Sequence, residues 1–227
     1  MPRRALLTLG LDEAGRGPAI GPLVLAAVAL STRAAAALTR AGLTDSKAFG
    51  AGPRAHTRRV ELAVQVRELA TFVDAEIVLP AEIDARVDRG ELNALEREVA
   101  QRLIERAPRA DRIVADGHRM FAPLTARYPS LLAVDRAEDK HAAVAAASVI
   151  AKTLRDDLYA AICAKYEPEF GKIAGGGYVN DATRGFLRAY AVRYGCLPTE
   201  ARRSWPHPYV ADLIAPSPKA NAQLSLL

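Results

Sequence analysis

The stretch Thr8–Leu30, TLGLDEAGRGPAIGPLVLAAVAL, joins two apolar runs through a turn that is rich in glycine and proline. About a dozen residues separate the runs, which is too few for a helical crossover, so the runs are predicted to pair as antiparallel strands. Asp12 and Glu13 stand where the first run meets the turn. Because neighbouring side chains of a strand point to opposite faces, these carboxylates share one site only if the strand ends there.

The composition favours one substantial domain with a packed core, since the chain has 227 residues of which 50% are hydrophobic. A net charge of +5 suits an anionic partner such as nucleic acid. Cys163 and Cys196 are far apart, which argues against a disulfide scaffold or a zinc ribbon. The sequence has no long uncharged apolar stretch and no secretory signal pattern, so we expect a cytoplasmic protein without a membrane span.

Beyond the first hairpin, predicted helices and strands alternate along the chain. Helices are predicted over 54–70, over 80–107 with an interruption at Gly90, over 138–166 and over 182–195. Strands are predicted over 71–79, 111–117 and 131–134. An early hairpin followed by such alternation predicts an α/β domain with a mixed sheet.

Acidic residues recur at the ends of these predicted elements. Asp116 closes the strand IVAD, and Glu138 and Asp139 stand at the start of the alanine-rich helix. Each alone is typical of a turn or of a first helical turn. Taken together with Asp12 and Glu13, they indicate a site for Mg²⁺ or Mn²⁺, which prefer hard oxygen ligands.

Six blocks of the sequence occur in an order that resembles the ribonuclease HII (type 2 ribonuclease H) family. They are GLDEAGRGPAIGPLVLAAV, LTDSK, ADG, VAAASVIAKTLRD, GGGYVNDATRGFL and RRSWPHP, and the resemblance spans roughly residues 5–210. It implies a ribonuclease H-like α/β fold, with a mixed sheet flanked by helices and a small helical C-terminal part. The expected division is a catalytic domain over 1–165, a helical substrate-binding part over 166–212 and a flexible tail over 213–227.

The resemblance implies a metal-dependent endoribonuclease with four catalytic, metal-binding acids: Asp12, Glu13, Asp116 and Glu138. In the family the fourth acid is an aspartate ten residues before the serine of A-A-A-S, here Ser148, and Asp139 stays open as the alternative. Two divalent ions, Mg²⁺ or Mn²⁺, about 4 Å apart would bracket the scissile phosphate and leave 3′-hydroxyl and 5′-phosphate ends. Because Glu138 replaces the usual aspartate, a hybrid-binding protein with lost or altered cleavage is the alternative.

The same resemblance assigns a substrate-binding set, namely Gly15, Arg16, Gly17, Lys47, Lys152 and Tyr178. The Gly15–Gly17 backbone is expected to contact the ribose 2′-hydroxyl, which distinguishes RNA from DNA. Tyr178 is expected to stack near the RNA–DNA junction, or else to pack on the core as a loop tyrosine. The two lysines would meet phosphates or remain solvated. Further arginines, including Arg202 and Arg203, would extend a basic surface or lie on a solvated face, and the histidines are interpreted as surface or capping residues.

The segment QLSLL at 223–227 resembles the short peptide by which bacterial repair proteins dock on the replicative sliding clamp. An extended peptide with apolar side chains suits a hydrophobic groove. The docking residues would be Gln223, Leu224, Leu226 and Leu227, although phenylalanine is usual at the last position and a chance apolar segment is the alternative. We expect a monomer that acts on RNA–DNA hybrids and on duplex DNA containing ribonucleotides, in ribonucleotide excision repair and DNA replication.

Overall fold

The structure, a computed structural model, describes residues 6–43 and 53–214. Its strands form one mixed sheet in the order β3-β2-β1-β4-β5. The strands are β1 Leu7–Ala14, β2 Leu23–Ser31, β3 Phe72–Val78, β4 Arg112–Asp116 and β5 Leu131–Val134. The α-helices are α1 Thr32–Arg40, α2 Pro53–Leu69, α3 Pro80–Val87, α4 Leu92–Arg106, α5 His118–Phe121, α6 Ala142–Phe170 and α7 Asp181–Tyr194. The prediction of an α/β protein with a mixed sheet is therefore confirmed.

The predicted hairpin is present: β1 and β2 pair antiparallel, from Leu7 opposite Ser31 to Ala14 opposite Val24. β2 is buried along its length up to Leu30 because it lies between β1 and β3. A strand that is covered on both faces has a continuous apolar sequence, and LVLAAVAL has that character.

One detail of the hairpin prediction is wrong. β1 does not end at Asp12 and Glu13 but continues to Ala14, because its pairing with β2 continues through both acids. The pairing of β1 with β4 is parallel and stops earlier, at Leu11 opposite Ala115. β1 is thus paired with β4 only up to Leu11 but with β2 up to Ala14.

Residues cluster into two compact units, and the first contains the described parts of 1–14, 24–77 and 93–154. This unit holds nearly all of the sheet and the first half of α6. An ideal Cβ built on Gly10 of β1 would lie 2.1 Å from the carbonyl carbon of Ala143, at the start of α6. The absence of a side chain at Gly10 therefore allows the strand and the helix to pack at this distance.

The second unit contains 15–23, 78–92 and the described part of 155–227. Its core is an apolar cluster that includes Ile20, Tyr159, Tyr166, Phe186 and Leu187. Unlike the linear division expected from the sequence, this unit combines the early turn with the C-terminal helices. The assignment of catalysis and substrate binding to separate parts stays a prediction.

Helix α7 follows the rules for helix ends. The Asn180 side chain accepts a hydrogen bond from the Thr183 N–H, and Gly195 ends the helix in the left-handed region, as predicted.

Among the described helices, none has both the length and the apolar character needed to cross a membrane.

The close approach at Gly10 gives a stability prediction. Gly10→Ala should lower the free energy of unfolding by about 2 kcal/mol, because the added methyl group overlaps backbone atoms that cannot rotate away. Urea unfolding followed by circular dichroism measures this.

Gly185→Ala is the matched control, since nothing lies within 4 Å of a Cβ at that position in α7. Alanine is the better helix former, so this variant should be stabilised by about 0.5–1 kcal/mol. Equal stability changes in the two variants would contradict the proposed packing at Gly10.

Candidate active site

Two acids lie side by side where the parallel ladder between β1 and β4 stops. The last paired residues are Leu11 and Ala115, so Asp12 and Asp116 are the next residues on the two strands. In addition to burial, the nearby negative charge of Asp116 acts to raise the pKa of Asp12. The sheet thus brings together two acids that are far apart in the sequence.

Asp12 is buried, and the first half of α6 supplies polar groups around it. Burial raises the pKa of Asp12 to about 7, while a hydrogen bond from the Ser148 side chain and the positive charge of Lys152 act in the opposite direction. Ser148 and Lys152 are four residues apart on a helix and therefore lie on one face. A buried carboxyl group close to a second one gains its charge most readily when a cation binds.

Glu138 lies in a short 3₁₀ turn, Ala137–Asp139, that is joined directly to Asp116. Oδ1 of Asp116 accepts a hydrogen bond of 2.8 Å from the Ala137 N–H. The expectation that Glu138 and Asp139 begin the alanine-rich helix is wrong, because α6 begins at Ala142. The turn is a separate element because Arg136 before it has a φ of 57°, outside the helical region.

The environments of Glu138 and Asp139 differ. Glu138 is buried, next to the residue that Asp116 binds. Asp139 keeps 24% of its side chain exposed and forms a 2.8 Å ion pair with Arg136. This difference favours Glu138 as the fourth acid, while its role as a ligand stays a prediction.

Glu13, the remaining acid, is half-buried and donates its backbone N–H to Asp12 Oδ1 at 2.9 Å. Within residues 6–43 and 53–214, no three His, Cys, Asp or Glu side chains form a group that could hold a metal ion. The oxygen donors of Asp12 and Asp116 suit Mg²⁺ or Mn²⁺ in chemistry. Because β1 continues through Asp12 and Glu13, the condition for the two carboxylates to share one site is not met by a strand end, and a ligand role for Glu13 stays a prediction.

The turn after β1 belongs to the second unit, where it contacts the glycine-rich loop. Gly15 has a φ of +85°, and a Cβ there would lie 2.6 Å from the carbonyl oxygen of Pro22. The Gly177 carbonyl accepts hydrogen bonds from Ala19 N–H at 2.9 Å and Ile20 N–H at 3.2 Å. The turn and the loop are thus fixed to each other by their backbones.

Tyr178 lies beside this turn. An ideal Cβ on Gly17 would be 3.2 Å from Cε1 of Tyr178, so the ring reaches the Gly17 backbone. The side chain is 55% exposed, so the alternative of a tyrosine packed on the core is wrong. Tyr178 is thus accessible to solvent beside the Gly17 backbone.

The comparison with known proteins identifies the family. The family model described as Ribonuclease HII matches residues 9–207. The chain belongs to the ribonuclease HII family. Among its relatives, Ribonuclease HII of Pyrobaculum arsenaticum is 39% identical over 202 residues, covering 86% of this chain and 93% of the relative. Ribonuclease HII of Methanothermobacter thermautotrophicus is 36% identical over 206 residues, covering 87% and 95%.

Solved structures support the same fold. The ribonuclease H2 of Pyrococcus horikoshii has a TM-score of 0.76 at 28% identity, over 92% of this chain and 97% of that one. Ribonuclease HII in the complex with PCNA from Archaeoglobus fulgidus has a TM-score of 0.74 at 29% identity, over 88% and 95%. Ribonuclease HII enzymes are metal-dependent endoribonucleases, and this chain has their ribonuclease H-like fold, a mixed sheet flanked by helices.

Some of the predicted site residues lie outside the described residues. They are Lys47, Gln223, Leu224, Leu226 and Leu227. Their proposed contacts with phosphates and with a sliding clamp stay predictions.

Two residues of the block RRSWPHP differ in their burial. Arg202 is fully buried and donates hydrogen bonds to the turn after β1, so its interpretation as part of a basic surface is wrong. His207, interpreted as a surface or capping residue, is half-buried, and its partial burial lowers its pKa. The block RRSWPHP is part of the family resemblance. A single sequence does not show which of its two adjacent arginines is buried. Ser148, used only to locate Glu138, also proved to be a partner of Asp12.

The contrast between Glu138 and Asp139 predicts the outcome of two isosteric substitutions. Glu138→Gln should lower the rate of RNA–DNA hybrid hydrolysis in Mn²⁺ by about 100-fold or more, because it removes a charge expected to bind the metal. Asp139→Asn should change the rate less than about threefold, because exposed ion pairs contribute little.

Initial rates with a labelled hybrid, together with the midpoint of thermal unfolding of each variant, measure these effects. An inactive, folded Asp139→Asn enzyme beside an active Glu138→Gln enzyme would show that Asp139 is the fourth acid.

Proposed function

We propose that this member of the ribonuclease HII family hydrolyses the RNA strand of RNA–DNA hybrids and incises 5′ to single ribonucleotides in duplex DNA. The observation that carries the proposal is the placement of Asp12 and Asp116 directly after the last pair of the β1–β4 ladder, with the Glu138 turn hydrogen-bonded to Asp116. The products would carry 3′-hydroxyl and 5′-phosphate ends. Incision beside embedded ribonucleotides would begin their excision after DNA replication.

The cofactors of the proposed reaction are two divalent ions, Mg²⁺ or Mn²⁺, held by Asp12, Glu13, Asp116 and Glu138. Such ions stabilise charge on phosphate oxygens and lower the pKa of a bound water. A Bst-RNase HIII structure was determined in complex with Mn²⁺. It is 19% identical to this chain, with a TM-score of 0.69 over 98% of this chain and 71% of that one. This similarity supports the fold alone. The oxygen donors of this chain are of the chemical class that both ions prefer.

The groups around Asp12 have a supporting role in this proposal. The hydrogen bond from Ser148 favours the ionised carboxylate and restricts its orientation. The charge of Lys152 favours the same ionised form, and its ammonium group is of the kind that binds a phosphate of the cleaved strand. Both residues thus act on the charge of the site.

Recognition of ribose is assigned to the Gly15–Gly17 backbone and to Tyr178. Backbone groups of the turn would contact the 2′-hydroxyl, the chemical difference between RNA and DNA. The exposed Tyr178 ring beside Gly17 would stack on a sugar at the RNA–DNA junction. Selectivity would then come from the second unit and cleavage from acids of the first.

A duplex with one embedded ribonucleotide tests the proposed activity. In Mg²⁺ or Mn²⁺ the enzyme should cut it 5′ to the ribonucleotide and leave the matched all-DNA duplex intact, and chelation of the metal should stop the reaction. Denaturing electrophoresis of both strands gives the position of the cut and the chemistry of the ends.

Cutting of the all-DNA duplex would instead indicate a nuclease of the same fold with another substrate. A shift of the duplex on a native gel without incision would indicate the hybrid-binding alternative, in which Glu138 does not support cleavage.

We further propose that the segment 223–227 docks on a sliding clamp. The similar structure from Archaeoglobus fulgidus is a complex of PCNA with ribonuclease HII. QLSLL combines a polar residue with apolar residues suited to a groove. Deletion of 223–227 should abolish binding to the clamp of the same organism, measured by pull-down.

Cleavage of a short free duplex should be unchanged in the deletion variant, which serves as its own control for folding. Unchanged clamp binding by this variant would rule out the segment as the docking site.

A further inference from the structure

The backbone of the turn after β1 is held by side chains from a distant segment. Arg202 donates from Nη2 to the Gly15 carbonyl and from Nη1 to the Arg16 carbonyl, the latter at 2.8 Å. Trp205 donates from Nε1 to the Gly17 carbonyl at 3.1 Å. Three successive carbonyl groups are thus bound by the two side chains.

The geometry of these bonds requires an arginine. Arg202 also donates from Nε to the Gly21 carbonyl, at 3.0 Å, so three of its nitrogens bind three separate carbonyl groups. A lysine has its donors on one atom and cannot span Gly15, Arg16 and Gly21. The Arg202 guanidinium also lies 4.9 Å from the ring centroid of Trp205, so the two side chains support each other.

The segment that carries these side chains is itself fixed. The buried Asp84 carboxylate accepts hydrogen bonds from the Arg203 N–H at 2.9 Å and from the Ser204 N–H at 3.0 Å, and from the Ser204 hydroxyl at 2.6 Å. Nε2 of His207 lies 2.8 Å from the Arg202 carbonyl oxygen. Because a carbonyl only accepts, this nitrogen carries the proton.

The bound carbonyl groups determine where the N–H groups of the turn point. In a trans peptide the N–H is antiparallel to the C=O, and the described residues contain no cis peptide bond. With the Gly15 and Arg16 carbonyls directed at Arg202, the N–H groups of Arg16 and Gly17 are directed away from it. These two backbone donors therefore have one fixed orientation. The Gly17 carbonyl bound by Trp205 precedes Pro18, which has no N–H, so Trp205 acts on the donors by fixing the end of the turn and by its contact with Arg202.

We propose that Arg202 and Trp205 are positioning residues for ribose recognition: they orient the peptide planes of Gly15–Gly17 so that the turn binds a 2′-hydroxyl. This inference rests on the proposed function of the turn. It assigns to RRSWPHP a role in selectivity that is exerted through the turn, without contact between Arg202 and the nucleic acid.

The test compares binding of two duplexes that differ in one 2′-hydroxyl group, with Ca²⁺ replacing the active metal. Trp205→Phe keeps an aromatic ring below Arg202 and removes one donor. We expect the preference for the ribonucleotide-containing duplex over the all-DNA duplex to fall about tenfold, as for the loss of one hydrogen bond, with all-DNA binding unchanged.

The matched control is Tyr166→Phe, which removes a 2.6 Å hydrogen bond to Glu200 in the same unit. This variant should keep the wild-type preference. The chain has a single tryptophan, so incorporation of benzothienylalanine in place of tryptophan changes Trp205 alone. This analogue keeps the bicyclic ring and lacks the N–H. The protein with this analogue takes the place of Trp205→Phe in the binding test if the phenylalanine variant is unfolded.

The outcomes separate this inference from the proposed function. A wild-type protein with no preference for the ribonucleotide contradicts the function proposed for the turn. A wild-type preference that persists in folded Trp205 variants overturns the positioning role. Equal weakening on both duplexes also overturns it, because a general loss of structure would lower both affinities alike.

Discussion

The buried carboxyl group of Asp12 is the constraint on which the rest of the site depends. Burial disfavours its charge and raises its pKa to about 7, so neighbouring groups must offset that cost. Ser148 and Lys152 do so from α6, a helix whose start packs closely on β1 at Gly10 and Ala143. The small residues of strand and helix therefore serve the electrostatics of the site as well as its packing.

The acids and the turn depend on different parts of the chain. Asp12 is fixed by the sheet and by α6, whereas the carbonyl groups of Gly15–Gly17 are held by Arg202 and Trp205. Only Ala14 separates Glu13 from Gly15 in the sequence. In the proposed function, the acids that cleave and the turn that recognises ribose are neighbours in the sequence. Different contacts fix their positions, so a substitution can alter cleavage or recognition alone.

Local rules account for what the sequence predicted well. The hairpin followed from a short glycine- and proline-rich connection, and the end of α7 followed from Gly195. The errors arose where distant contacts decide. Pairing with β2 carries β1 past Asp12, and the burial of Arg202 depends on carbonyl groups at Gly15 and Arg16, far away in the sequence. The metal site was inferred from acids at the ends of predicted elements, its full ligand set came from the family resemblance, and both remain predictions.

The position of Glu138 in its own turn bears on how the chain accommodates the longer acid. A residue within α6 would have its Cα fixed by helical register, and one extra methylene would displace the carboxylate. The turn Ala137–Asp139 that contains Glu138 instead follows Arg136, the one non-glycine residue with positive φ among those described. This conformation costs about 1–2 kcal/mol. The turn is held by the buried Ala137 and its hydrogen bond to Asp116. The left-handed conformation at Arg136 thus leaves Glu138 outside helix α6, in a turn that is hydrogen-bonded to Asp116 through Ala137.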